Sequence, residues 1–334
     1  MLSVVLKAVD AVNKIKLKSN PLPVLYFHRV LPTATAFRPD DWHLDNFQLL
    51  IRKLSKHFSL MSLEDALQCL ENNTLPSNAL CLTFDDGYQD NYELAAPVIE
   101  SVGGKASFFV STQGTERGYL WNDELLEIVK CTKAKSLVFN GKHFTLDTEE
   151  QKADAYLSLV GQLKVLPNST RDNHLIELQQ TLGKAETPRC MMTASQLIDL
   201  QNRGHCIGAH THTHSILAYQ ADDVAFNEIE LSVMFLNKLL PKNVTCFAYP
   251  NGWFGRDFNE QHEEMLRQSG VAYGFATNDG GITLNSPKTR LPRFMPHRKE
   301  LNQFCISIRM CIFAFESKKP DSFRIWFFLI NRTA

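Results

Sequence analysis

Short apolar segments rich in β-branched and aromatic residues alternate along this chain with longer segments of helical period, and that rhythm constrains the fold more than any other feature. Strands are expected at Val24 to His28, Ala79 to Phe84, Ala106 to Ser111, Cys206 to His210, Thr245 to Tyr249 and Ala272 to Thr277. Between them the periodicity predicts helices at Leu44 to His57, Leu63 to Glu71, Asn91 to Val102, Thr193 to Arg203, Asp222 to Leu240 and Phe258 to Ser269. Local signals mark several ends. Thr193 with Gln196 has the form of a capping box, and Gly103-Gly104, Gly204 and Gly270 stand where glycine stops helices. Alternating strands and helices imply βα units on a mainly parallel sheet, open or closed into a barrel. From about Thr115 to Cys190 the rhythm breaks. Glu124 to Lys130, Glu149 to Lys164 and Arg171 to Gly183 read as helices, with a hairpin at Ser136 to Thr145. This stretch is expected to be a mostly helical insertion between two barrel units rather than an independent domain.

A chain of 334 residues can bury a large core, and 44% hydrophobic with 21% charged content is that of a globular protein. A formal net charge of -1, with Lys and Arg scattered, gives no footing for nucleic acid or an anionic membrane as the main partner. Eight cysteines occur without a CxxC pair, several inside apolar runs such as Ala79 to Leu82 and Thr245 to Phe247. That pattern points to buried free thiols rather than a disulfide framework or a Cys-rich zinc site. The first twenty or so residues (1–21) read as an amphipathic segment without the apolar stretch and cleavage site of a signal peptide. No run is long and apolar enough to span a bilayer. The apolar Phe323 to Ile330, within a C-terminal extension over 301–334, reads as a packed terminal strand. On these grounds the cytoplasm is the expected compartment.

The strongest chemical signal is Thr83-Phe84-Asp85-Asp86-Gly87-Tyr88, directly after an apolar strand. Adjacent carboxylates at the end of a buried strand are costly unless paired or bound to a cation. Such a pair can divide labour, one carboxylate binding a metal and the other taking a proton from water. The second signal is His210-Thr211-His212-Thr213-His214. Two imidazoles and one carboxylate with an open position form a common hydrolytic metal site. Spacing leaves the ligands open: on a strand 210, 212 and 214 share a face, whereas a turn joins 210 and 214. A third segment, Phe247 to Trp253, ends a strand in a Gly- and Pro-shaped turn that can aim a backbone N–H into a cleft. Tyr249 and Trp253 there are candidates for stacking on a sugar ring. His28 ends the first strand. All four segments fall at C-terminal ends of strands, which converge on one face of a βα barrel.

These residues resemble the polysaccharide deacetylase family, the group sharing the NodB homology domain (carbohydrate esterase family 4). Thr83-Phe84-Asp85-Asp86-Gly87 is similar to its first motif, and His210-Thr211-x-x-His214 to its second. The resemblance runs over roughly Leu22 to Phe294 and implies a distorted (β/α)7 barrel, with the barrel domain placed over 22–300 and the insertion at about 115–190. It implies a divalent metal ion, usually zinc, on Asp86, His210 and His214, with Asp85 as catalytic base and His212 outside the ligand set. The third motif departs from the common pattern: Ala248-Tyr249-Pro250-Asn251-Gly252 lacks the usual Arg. The Asn251 N–H is then expected to serve the oxyanion. Arg293 is the expected cationic partner of the base, with Arg290 as runner-up. The late Leu-x-His motif is not evident, but Leu25-Tyr26-Phe27-His28 resembles the early Tyr-His element of the branch typified by poly-N-acetylglucosamine deacetylases. That promotes His28 to general acid. The implied activity is metal-dependent removal of N-acetyl groups from an N-acetylated glycan or amino-sugar substrate. Rival readings are a related deformylase or esterase, or a non-catalytic carbohydrate-binding barrel.

Overall fold

The apolar runs of the βα units become parallel strands buried on both faces, as a sheet covered on each side requires. A computed structural model describes residues 21–296. The N-terminal amphipathic segment, the C-terminal apolar extension, Cys305 and Cys311 lie outside the described residues. The described strands are β1 (Val24–Phe27), β2 (Val30–Leu31), β3 (Trp42–His43), β4 (Ser59–Met61), β5 (Ala79–Phe84), β6 (Ser107–Val110), β7 (Ser136–Phe139), β8 (Lys142–Thr145), β9 (Cys206–Ala209), β10 (Cys246–Ala248) and β11 (Tyr273–Phe275). The helices are α1 (Leu44–Ser55), α2 (Leu63–Glu71), α3 (Ala96–Glu100), α4 (Thr112–Arg117), α5 (Trp121–Cys131), α6 (Glu149–Leu163), α7 (Asn168–Leu182), α8 (Ala194–Asn202), α9 (Asp222–Leu239) and α10 (Glu260–Gln268).

One seven-stranded parallel sheet runs β1-β5-β6-β9-β10-β11, with β4 paired along the first half of β5. The extended segment 291–294 then links the two edges. Leu291 bridges Phe275 and Phe294 bridges Leu25, both in parallel. Ala276 N–H donates to the Leu291 carbonyl (2.8 Å) and Tyr26 N–H to that of Phe294 (2.9 Å). The curled sheet is thus the distorted barrel expected from the sequence.

Residues alternate between two cores, as a pleated strand demands. Phe27, Phe84 and Phe108 occupy neighbouring register positions and stack with ring centroids 5.2 Å apart. They face outward onto Phe47 of α1. Val24, Cys81, Phe109, Cys206, Cys246, Ala248 and Phe275 belong to the other core, inside the barrel, which Leu63, Ala66 and Leu67 of α2 close from one end. The six cysteines described are all free thiols, and Cys81, Cys206 and Cys246 are fully buried.

The helix predicted over Asn91 to Val102 opens instead with a π turn, Asn91–Ala95. Pro97 lacks the N–H that would continue the α pattern, which accounts for the irregularity. In the insertion, α5, α6, α7 and the β7–β8 hairpin pack around Leu125, Tyr156, Leu159 and Leu175, a core separate from the barrel's and joined by Phe37. Lys164 and Asn168 nevertheless reach the barrel, Lys164 through Asn251 and Asn168 through Ser215 and through Glu228 of α9. Among the described residues no helix is long and apolar enough to cross a membrane.

Candidate active site

The two-residue period that places Thr83 and Gly208 inside the barrel also directs Asp85 and His210 inward, just past the ends of β5 and β9. Asp85 is buried and bonded on both oxygens by Arg293: Nη1 to Oδ1 at 2.7 Å and Nη2 to Oδ2 at 2.9 Å. Arg293 is completely enclosed. Its Nε donates to the Ala276 carbonyl (3.1 Å) and its Nη1 also to Thr83 Oγ1 (3.1 Å), and its guanidinium lies over the Tyr26 and Phe109 rings. Burial alone would raise the Asp85 pKa, but the paired guanidinium overrides it and holds the carboxyl below its ordinary value. Arg290 lies elsewhere, over the Phe254 ring.

A regular strand would turn the next residue, Asp86, away from the axis. Instead the backbone enters left-handed conformation at Asp86 (φ +77°) and Gly87 (φ +95°), which swings the second carboxylate into the same mouth. A Cβ at Gly87 would meet Val110 Cγ1 at 3.0 Å, so the turn needs glycine there on both counts.

The histidine segment is a turn, not a strand. β9 ends at Ala209, and left-handed Thr211 (φ +61°) and His214 (φ +59°) fold the chain so that the His210 and His214 rings lie 5.1 Å apart. Their Nε2 atoms are 3.4 Å and 3.0 Å from Asp86 Oδ1. These approaches are close but not aligned as hydrogen bonds, and buried Asp86 Oδ1 and His214 Nδ1 have no hydrogen-bond partner. The three ligand atoms all lie within 4.8 Å of one another. Ligands about 2.0–2.1 Å from a tetrahedral zinc ion stand roughly 3.4 Å apart, so this donor set fits a divalent cation of that kind. His210 Nδ1 donates to the Ala248 carbonyl at 2.7 Å, which orients the ring so that Nε2 is the nitrogen turned towards Asp86. Asp86 is pulled upward by burial and downward more strongly by His214 and His210, and stands well below the ordinary carboxylate range. His212 is engaged elsewhere, its Nδ1 2.9 Å from Thr112 Oγ1.

The turn after β10 carries Asn251 (φ +62°) and Gly252 (φ +76°). Asn251 N–H donates to no protein group among the described residues, while its carbonyl accepts from Thr277 Oγ1 at 2.7 Å. The expectation that Tyr249 stacks on a sugar is corrected. Its ring is buried, stacked 3.7 Å from Phe258, and its hydroxyl donates to the Thr289 carbonyl. Trp253 is 46% exposed, with the Arg256 guanidinium over its ring at 5.9 Å. His28 follows β1, directly after Phe27, whose carbonyl accepts the Asp85 N–H (2.9 Å). Its ring makes an edge contact with Tyr26.

Two residues of this region, Asp257 and Glu228, escaped the reading of the sequence, and a third, Thr83, was read only as part of its motif with no role of its own. Thr83 supports Arg293. Buried Asp257 accepts from Trp253 N–H (2.9 Å) and Asn251 Nδ2 (3.3 Å), fixing the turn. Glu228 of α9 accepts from the histidine turn. Glu228 did carry a signal, since it shares helical spacing with Ala225, Ile229 and Ser232 on a buried face.

The family model described as "Polysaccharide deacetylase" matches residues 72–273, more than half of the chain. This chain belongs to the polysaccharide deacetylase family. Among curated proteins, a poly-beta-1,6-N-acetyl-D-glucosamine N-deacetylase of Staphylococcus epidermidis is 28% identical over 95 residues, 25% of this chain. The match spans 32% of that relative's length. A solved deacetylase of Streptococcus pyogenes, PplD in complex with acetate, is similar with a TM-score of 0.59 at 19% identity, over 86% of this chain and 98% of its own. IcaB from Ammonifex degensii gives a TM-score of 0.53 at 17% identity, over 88% and 98%. At these identities the likeness concerns the fold.

Proposed function

We propose that this deacetylase removes N-acetyl groups from amino sugars of a polysaccharide or glycan precursor, using a divalent metal, zinc by the chemistry of its donors. The observation that carries the reading is the convergence of one carboxylate and two imidazoles beside a second carboxylate clamped by Arg293. Asp86, His210 and His214 would hold the ion. When bound, such an ion supplies a water of lowered pKa and polarises the acyl carbonyl. Asp85, kept ionised and oriented by Arg293, takes the proton of the attacking water. The free N–H of Asn251 donates to the oxyanion as the amide carbon becomes tetrahedral. His28 gives a proton to the leaving amine, and the products are a free amino sugar and acetate. Trp253 offers the exposed aromatic face for a sugar ring.

The test is acetate release from N-acetylglucosamine oligomers, with chelation, zinc add-back and an Asp85→Asn control. Release that requires both the metal and Asp85 is expected. If the wild-type protein, zinc-loaded, leaves these oligomers intact while freeing another acyl group, the N-acetyl assignment falls.

A further inference from the structure

His210 and His214 stand at the two ends of a turn that hydrogen bonds must hold, because Thr211 and His214 both keep a left-handed φ that L side chains resist. Towards the barrel, Ser111 Oγ and Thr211 Oγ1 donate to the His210 carbonyl, while the N–H groups of Thr112 and Gln113 donate to the carbonyls of Thr211 and His212. Within the turn the Ser215 N–H donates to Thr211 Oγ1 (3.1 Å), and Glu228 adds the bonds that tie it to α9. Glu228 Oε2 accepts from the N–H groups of both His212 (2.9 Å) and Thr213 (2.8 Å). Its Oε1 accepts from Thr213 Oγ1 (2.7 Å) and from Asn168 Nδ2 (3.0 Å). Asn168 opens α7 of the insertion, and its Oδ1 accepts in turn from Ser215 Oγ at 2.7 Å. Glu228 is itself buried.

The two imidazoles are not equally secured. His210 is fixed by its Nδ1 contact with the Ala248 carbonyl, whereas His214 Nδ1 has no partner. The position of His214 therefore depends on the turn, and Glu228 holds the two N–H groups of the turn that directly precede it. We propose that Glu228, tethered to the insertion through Asn168, is a positioning residue that sets His214 against Asp86 and His210 for metal capture. The inference rests on reading those three residues as the metal site. The insertion is then a working part of that site.

The experiment is zinc affinity by competition with a chromogenic chelator, for wild type, Glu228→Ala, Glu228→Gln and Asn168→Ala, with the visible spectrum of the cobalt-loaded proteins beside it. Thermal melts of the metal-free forms check the fold. Glu228→Ala is expected to weaken zinc binding by about 10- to 100-fold and to alter the cobalt bands, as the loss of groups that orient metal ligands does. Glu228→Gln, which retains an acceptor for the two N–H groups, should recover part of that affinity, and Asn168→Ala should lose less than Glu228→Ala. Wild-type affinity and an unchanged cobalt spectrum in a folded Glu228→Ala would overturn the proposal. Should that variant not fold, the same result in Glu228→Gln and Asn168→Ala would overturn it. A wild type that takes neither zinc nor cobalt would sink the metal reading itself, and this inference with it.

Discussion

At the scale of single residues, the site separates the tasks of neighbouring carboxylates by giving them different partners. Asp85 meets a guanidinium and Asp86 two imidazoles, and a change of backbone conformation between them allows both to face one mouth. This division predicts opposite behaviour in two variants. Asp86→Ala should lose stoichiometric zinc and with it all metal-dependent turnover. His28→Ala should keep the zinc and lose turnover by about 10²- to 10⁴-fold, the usual contribution of a general acid. Zinc loss from His28→Ala, measured by elemental analysis, would make His28 a ligand instead. Arg293 yields a second prediction. Removing one partner of a buried ion pair leaves an uncompensated charge, at a cost of about 3–5 kcal/mol. Arg293→Met should therefore melt well below wild type as well as losing activity. The double variant Arg293→Met with Asp85→Asn should regain part of the stability and none of the activity. Arg293→Lys should not rescue either property, because an ammonium cannot reproduce the two parallel bonds to Asp85.

At the scale of elements, the strand ends that carry the chemistry were largely legible. Ala79–Phe84 and Leu63–Glu71 fall where the periodicity predicts, and the five other strands that were expected end within a residue or two, because buried parallel strands are unbroken apolar runs bounded by glycine and polar turns, whereas the three-residue β4 (Ser59–Met61) was not read at all. The closing segment 291–294 was not read as a strand. It is short and contains Pro292 and Arg293, and only tertiary contact with β1 and β11 makes it part of the sheet. The choice among His210, His212 and His214 also stayed open, since it depends on two left-handed residues that no period reveals. Tyr249 and Trp253 show the same limit. They are close in one turn, yet Phe258, from beyond the turn, buries the first and leaves the second nearly half exposed. Their variants should differ accordingly. Tyr249→Ala is expected to lose stability on the order of 3–5 kcal/mol, the usual range for a buried aromatic. Trp253→Ala should change stability by no more than about 0.5 kcal/mol and raise KM for oligomers instead. An unaltered KM would remove Trp253 from the proposed sugar contact.

At the scale of the whole molecule, the barrel separates function from stability along its axis, as βα barrels do. Four of the non-glycine residues with left-handed backbone, Asp86, Thr211, His214 and Asn251, lie at the mouth. Near the start of β6 and β9 stands His205, whose side chain is fully enclosed and whose Nδ1 accepts the Ala106 N–H at 3.1 Å while Nε2 lies 2.8 Å from Glu100 Oε1. That pair of bonds requires the neutral ring, because a proton on Nδ1 would set two donors face to face. Burial lowers the His205 pKa, and Glu100, which favours the charged form, only partly opposes it, with Lys105 and Arg203 adding to the decrease. The unfolded chain takes up this proton near pH 6.5, before the folded protein does. Stability is therefore full above that pH and declines as pH falls from about 6.5 towards the lower folded value. His262, buried and accepting the Asn259 N–H, contributes in the same direction. Melting temperatures of the chelator-treated protein should fall between about pH 8 and about pH 5.5. His205→Gln should melt lower at the alkaline end, where the histidine is best satisfied, and show a shallower fall on acidification. If the wild type and the variant fall in parallel, the acid sensitivity lies in another group and His205 has no part in it.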